Sequence, residues 1–289
     1  MNEIDKRDLF SLYHKVKEKG TFEYLHILDD FKRSEYYDFY RFLKANRQVI
    51  SILKYNYSHS IKLDKLHNST ANHHRTWNDV NPKYRWRQQR AITMQLFNYL
   101  SSVFATVDFS RSNMRKYIYS NPKIAENFKI SKESYFDNNP VHRFIQDLRN
   151  YTSHNSFLRI SSEVIANIEL GEERRNIYLL KEDLLESDRW SNLSKKFLQL
   201  QESKIYIIDI IKNHYPAFSK FQDWAYLTLF QADTEFTAKF RDELKSVLDL
   251  AERVDMSQTS LPFGQAYIRY LDKMINESRV KCLKKFEYI

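Results

Sequence analysis

The sequence predicts an all-α fold interrupted by a single β-hairpin, and three observations carry that expectation. Only Gly20, Gly171 and Gly264 supply glycine in 289 residues, leaving little from which to build tight hairpins or glycine-rich loops. Apolar side chains recur at helical spacing through most of the chain. One stretch, Phe157 to Leu180, is instead rich in aliphatic and β-branched residues without that spacing. Hydrophobic residues make up 42% of the chain, which places it among globular rather than disordered sequences. The same glycine shortage excludes a Walker-type phosphate loop and a dinucleotide fingerprint, both of which need several glycines at fixed spacing.

Taken in order, Leu9, Phe10, Leu12, Tyr13 and Val16 form a first helical stripe ending at Gly20. Thr21 is placed to cap a second helix or pair of helices, whose apolar residues run from Leu25 to Leu53 and which ends near Tyr57. Residues 1–58 are thus expected to form an N-terminal helical region. Residues 59–81, rich in Asn, Ser and His, read as a polar linker. Pro82 suits the first turn of a helix reaching about Tyr119. Residues 121–139 read as a polar passage. Pro140 opens a short helix with Val141, Phe144, Ile145 and Leu148 on its buried face. The hairpin follows near 157–180, with its turn at Gly171-Glu172-Glu173. Helical stripes then run from Leu184 to Leu200, Ile205 to Ile211 and Phe218 to Leu250, with Pro216 as a break or kink, and a final helix begins near Phe263.

Charge points to a partner class. The chain has 46 basic and 37 acidic residues, a formal net charge of +9, which favours a polyanion such as RNA. A lone cysteine, Cys282, excludes an internal disulfide and a Cys-rich zinc site. No apolar run approaches the roughly 18 residues of a membrane span, and the N-terminus Met1-Asn2-Glu3-Ile4-Asp5-Lys6-Arg7-Asp8 lacks a signal-peptide core. A cytoplasmic location with no membrane partner is expected.

The most informative stretch is Leu148-Arg149-Asn150-Tyr151-Thr152-Ser153-His154, at the end of the helix opened by Pro140. An RNA 2′-hydroxyl attacks its neighbouring phosphate when a base takes its proton and a cation receives the developing charge. Histidine titrates near neutrality and can do the first; arginine stays charged and grips phosphate oxygens with a planar fork. Neither step requires a metal. On a helix, Asn150 and His154 share one face while Arg149 projects from the adjoining flank. His154 would also suit a helix C-terminus, where its cationic form meets the dipole.

This segment resembles the Arg-X4-6-His signature of HEPN-domain ribonucleases, in which a polar residue commonly follows the arginine. The resemblance implies an HEPN-like helical bundle over residues 82–289, with the N-terminal region as an extension and the hairpin as an insertion. It implies a metal-independent endoribonuclease that leaves a 2′,3′-cyclic phosphate, with His154 as general acid/base, Arg149 as phosphate clamp and Asn150 as orienting group, and with no cofactor. Such proteins are commonly homodimers whose two motifs face one cleft, and are found among toxins and antiviral effectors restrained by a partner. A second match to the spacing, Arg7 and His14, lies in the first helical stripe.

Other clusters weigh less. Lys83, Arg85, Arg87 and Arg90 interleave with Tyr84 and Trp86, near Trp77; cations beside rings suit single-stranded RNA, although the tryptophans would equally serve as core. Arg90 or Gln95 would supply an extra polar group to an HEPN cleft. His67, His73 and His74 lack a carboxylate at ligand spacing and read as solvated loop residues, not a metal site. The alternatives to a nuclease are a non-catalytic helical module that binds RNA or protein, and a helical adaptor for an acidic partner.

Overall fold

The computed structural model describes residues 6–68, 82–118, 122–154, 158–167, 172–253 and 268–269. The fold is mostly helical with a small three-stranded antiparallel sheet, as the glycine shortage and the one β-rich stretch predict. The element order is α1 (Lys6–Arg33), α2 (Glu35–His67), α3 (Pro82–Ile118), α4 (Pro122–Lys132), a π-helical turn (Glu133–Asp137) and α5 (Pro140–His154). Then come β1 (Ile160–Asn167), β2 (Glu172–Leu180), α6 (Lys181–Leu185), α7 (Asn192–Leu200), β3 (Lys204–Ile205), α8 (Ile207–Ala232) and α9 (Thr234–Arg253). Among the described residues no helix is long and apolar enough to cross a membrane.

Several boundaries differ from the sequence expectation, each for a local reason. α1 runs through Gly20: one helical glycine costs about 1 kcal/mol relative to alanine, and the buried stripe of Tyr24, Leu28 and Phe31 offsets it. The break comes instead at Ser34, whose hydroxyl and amide both donate to the Phe31 carbonyl, at 2.6 and 3.0 Å. α2 continues to His67, so residues 59–67 are helix rather than linker. Buried Ser60 satisfies its hydroxyl inside the helix by donating to the Asn56 carbonyl at 2.9 Å, and Tyr57 stacks on Tyr215 with ring centres 3.9 Å apart. The expected polar passage at 121–139 holds α4 and the π-helical turn, which bury Phe128 and Phe136.

The chain divides into two compact units, residues 1–45 with 227–289, and residues 46–226. In the first, α1 packs along α9. Phe39 meets Phe230, Phe236 and Phe240 edge-to-face at centroid distances of 5.9, 5.3 and 5.1 Å, the geometry ring quadrupoles prefer. Asp233 interrupts the apolar stripe expected from Phe218 to Leu250. Its Oδ1 accepts from the Phe236 amide at 2.8 Å, capping α9.

The second unit contains the sheet and α3 to α7. β1 and β2 pair from Ile160↔Leu179 to Asn167↔Glu172, and β3 adds to β2 at Leu179↔Ile205. Glu172 and Glu173 therefore begin a strand rather than form the turn. Ile160, Ile177, Leu179 and Ile205 face the core. On the outer face Glu163 pairs with Lys204 and accepts from the Tyr206 hydroxyl at 2.7 Å; Lys204 and Tyr206 hold its carboxyl below the usual range. Gln89 of α3 donates to the Ile160 carbonyl at the sheet edge. The helix expected from Leu184 to Leu200 is split, because Trp190 donates its indole N–H to the Leu184 carbonyl at 2.6 Å and Ser191 opens α7 as its cap. α8 passes through Pro216 and ends at Ala232. Of the helix expected from Phe263, Ile268 and Arg269 are described, and both are helical; the hairpin residues 168–171 lie outside the described residues.

Candidate active site

α5 carries the Arg-Asn-His segment, and its position is set by contacts on three sides. Asn139 caps it, accepting from the His142 amide at 3.1 Å, and Pro140 follows at the first helical position. Phe144, Ile145 and Leu148 are fully buried as expected; Val141 is only partly so. Phe144 stacks on Trp190 at 5.7 Å and meets the tilted ring of Phe197 at 4.9 Å. Asp147, also buried, accepts from the Ser191 amide at 2.9 Å and the Ser194 hydroxyl at 2.7 Å. A carboxylate is thereby seated at the N-terminus of α7, where the helix dipole favours it.

The last turn of α5 presents the motif. Arg149 is half-buried, its guanidinium 4.2 Å from the centre of the Phe104 ring on α3. Its Nη1 donates to Asn150 Oδ1 at 3.3 Å, and Asn150 is exposed. The Thr152 and Ser153 hydroxyls donate to the Arg149 carbonyl at 2.7 and 3.0 Å, satisfying an acceptor near the helix end. His154 is the final residue of the helix; its side chain lies outside the described residues. Helical geometry sets a residue five positions on about 140° around the axis. One copy of the motif thus offers Arg149 and position 154 on different flanks, with Asn150 and position 154 on one.

At the start of α3, Trp86 is 59% exposed, so this tryptophan is not a core residue. The Arg90 guanidinium lies 5.3 Å from its ring centre, and Arg87 is exposed. The side chains of Lys83, Tyr84 and Arg85, and Trp77 altogether, lie outside the described residues. Gln95 does not reach a cleft: it is buried and donates to the Asn56 carbonyl at 2.8 Å, joining α3 to α2. The Arg7 and His14 side chains, the His67 side chain, His73, His74 and Cys282 also lie outside the described residues. Among the described residues, no cluster of three His, Cys, Asp or Glu could hold a metal ion.

Sequence reasoning missed the most elaborate polar feature of this unit. The Tyr99 hydroxyl lies 2.8 Å from His214 Nδ1, His214 Nε2 lies 2.9 Å from His142 Nδ1, and His142 Nε2 lies 2.9 Å from Gln146 Nε2. Arg143 donates to Gln146 Oε1 at 3.3 Å, which turns the amide N–H toward His142. Donation then runs from Gln146 through His142 and His214 to the Tyr99 oxygen, each imidazole carrying its proton on Nδ1. Both rings are buried, at 1% and 5% exposure, beside Phe136 and Phe218. Burial pushes His142 down to about 2, aided by His214, Arg143 and Arg111, and pushes His214 down to about 3. Both stay neutral near pH 7, so this chain positions α5 against α8 rather than exchanging protons. The readable signal was a histidine within each apolar helical stripe, beside Phe144 and Ile145 and beside Ile211 and Phe218.

No protein-family model, curated protein or solved structure matches the chain.

Proposed function

We propose that the chain is an HEPN-type endoribonuclease that needs no metal, with its site at the C-terminal turn of α5. The observation that carries the reading is Arg149: a permanently charged guanidinium, half-buried against Phe104 at the end of a firmly packed helix, with exposed Asn150 beside it. His154 takes the proton of an RNA 2′-hydroxyl, and the freed oxygen attacks the adjacent phosphorus. Arg149 grips the non-bridging oxygens, and the P–O5′ bond breaks as the 5′-oxygen takes a proton from protonated His154. The products are a 2′,3′-cyclic phosphate and a 5′-hydroxyl end. Asn150 orients the imidazole or holds a second phosphate oxygen. Because the helical period separates Arg149 from His154, two copies meeting along α5 would bring the arginine of one toward the histidine of the other, which favours a homodimer. Its resemblance makes such a protein a toxin or antiviral effector, kept in check by a regulatory partner.

The test is RNA cleavage in EDTA. His154→Ala is expected to slow it by about 10²- to 10⁴-fold, the usual contribution of a general acid/base. Arg149→Ala should lose comparably and Arg149→Lys less, since the charge remains without the fork. Undiminished cleavage by His154→Ala and Arg149→Ala would remove the site, and loss confined to His14→Ala would move it to α1.

A further inference from the structure

The basic start of α3 and the arginine at the end of α5 are joined by one face of α3. Trp86, Phe97 and Phe104 stand eleven and seven residues apart, which leaves them within about 20° of a single line along the helix, over about 27 Å. Trp86 and Phe97 are 59% and 45% exposed, and exposed Met94 flanks them. Phe104 ends the line with the Arg149 guanidinium over its ring, and Arg90 sits against Trp86 at the other end. Between Pro82 and Val107 the helix has no carboxylate, while it carries Lys83, Arg85, Arg87 and Arg90; Asp108 is the first acidic residue, one turn beyond Phe104.

Exposed planar rings in line on a helix free of negative charge complement a ligand that repeats planar apolar groups and anions. A single-stranded nucleic acid does so: its bases stack on aromatic side chains and its phosphates meet cations. A duplex does not, since its bases are already paired and stacked. We propose that this face of α3 is a track for single-stranded RNA, with bases stacked on Trp86 and Phe97 and the backbone led past Phe104 to Arg149. Only the end point of the track rests on the nuclease reading; the stacking does not.

The probe is a single-stranded oligouridine methylated at every 2′-oxygen, which removes the attacking hydroxyl and leaves binding alone, titrated onto the full chain. Trp86→Ala and Phe97→Ala are each expected to weaken binding by roughly five- to 150-fold, the range that loss of one stacked base implies. Trp86→Phe should recover part of the loss, and the same strand annealed to its complement should bind more weakly. Equal affinity of the two alanine variants and the parent, or equal affinity for duplex, would overturn the track. So would gel filtration in which Trp86→Ala and Phe97→Ala convert an RNA-free dimer to monomer, because the stripe would then be a contact between copies. Cleavage of unmodified RNA is read separately. Cleavage with ring-independent binding removes the track and keeps the nuclease; ring-dependent binding without cleavage does the reverse.

Discussion

Lowering the pH from 7 to 5 is expected to remove about 4 kcal/mol of stability from the unit formed by residues 46–226. The origin is the pair of neutral imidazoles buried between α5 and α8, His142 and His214, held far below the ordinary histidine range by burial. At pH 7 both states of the chain carry these rings mostly neutral, so the pair is nearly silent. As pH falls below about 6.5 the unfolded chain binds two protons that the folded chain refuses. Stability is therefore present above 6.5 and lost progressively toward the folded values. At pH 5 the loss depends only on the unfolded-state titration, about 2 kcal/mol for each ring, because both folded values lie well below 5. Against a total of roughly 5–15 kcal/mol for a typical domain, that is a large fraction. Asp223, pushed upward by burial, acts with the opposite sign. Urea midpoints at pH 7, 6 and 5, read by tryptophan fluorescence, measure the effect. The double variant His142→Gln, His214→Gln should be less pH-dependent over this window, whatever its stability at pH 7. A parent midpoint that does not move between pH 7 and 5 would contradict a desolvated neutral pair.

Phe144→Ala is expected to cost about 3–5 kcal/mol, the range for deleting a fully buried aromatic ring. Phe144 has no exposed surface and lies between Trp190, on which it stacks, and the tilted ring of Phe197, so removal leaves a void where α5 meets α7. The neighbouring hydrogen bonds of Asp147 to Ser191 and Ser194 depend on the same helix spacing. By contrast Phe22→Ala removes a ring that is 74% exposed and should fall within about 0.5 kcal/mol of the parent. Urea unfolding followed at Trp190, itself stacked on Phe144, separates the two. Equal midpoints would mean that Phe144 is not packed in the core. Under the proposed nuclease reading the Phe144→Ala variant should also lose RNA cleavage at lower temperature than the parent, since Arg149 and Asn150 are held in place by this helix.

How far the sequence foretold this molecule follows from which forces act locally. The hairpin was legible because aliphatic and β-branched residues from Phe157 to Leu180 lack helical spacing and flank Gly171, and α3 and α5 because Pro82 and Pro140 mark their first turns. The pass of α1 through Gly20 was not, since the rule that glycine ends helices is weaker than the burial of Tyr24, Leu28 and Phe31. α4 was hidden by its polar residues, because one buried ring, Phe128, anchors it where a full apolar stripe would have announced it. β3 is two residues long and sits at the head of an apolar run that reads equally as helix; only pairing with Leu179 and Leu180 makes it a strand. For the candidate site, the residue types and their place at the end of α5 were legible, and so was the basic start of α3. That Arg149 lies over Phe104 was not, because ring and guanidinium are 45 positions apart in sequence. The same holds for His142 and His214, whose partnership exists only once α5 and α8 are packed.

The proposed chemistry is tested most directly by the fate of the ribose hydroxyl. An RNA oligonucleotide and its counterpart lacking every 2′-hydroxyl are incubated with the full chain in EDTA, and the product ends are identified by mass. Only the ribose strand should be cut, leaving a 2′,3′-cyclic phosphate, with cutting by His154→Ala slowed by about 10²- to 10⁴-fold. Cleavage of both strands alike, or intact RNA recovered from a stable complex with the parent protein, would contradict it.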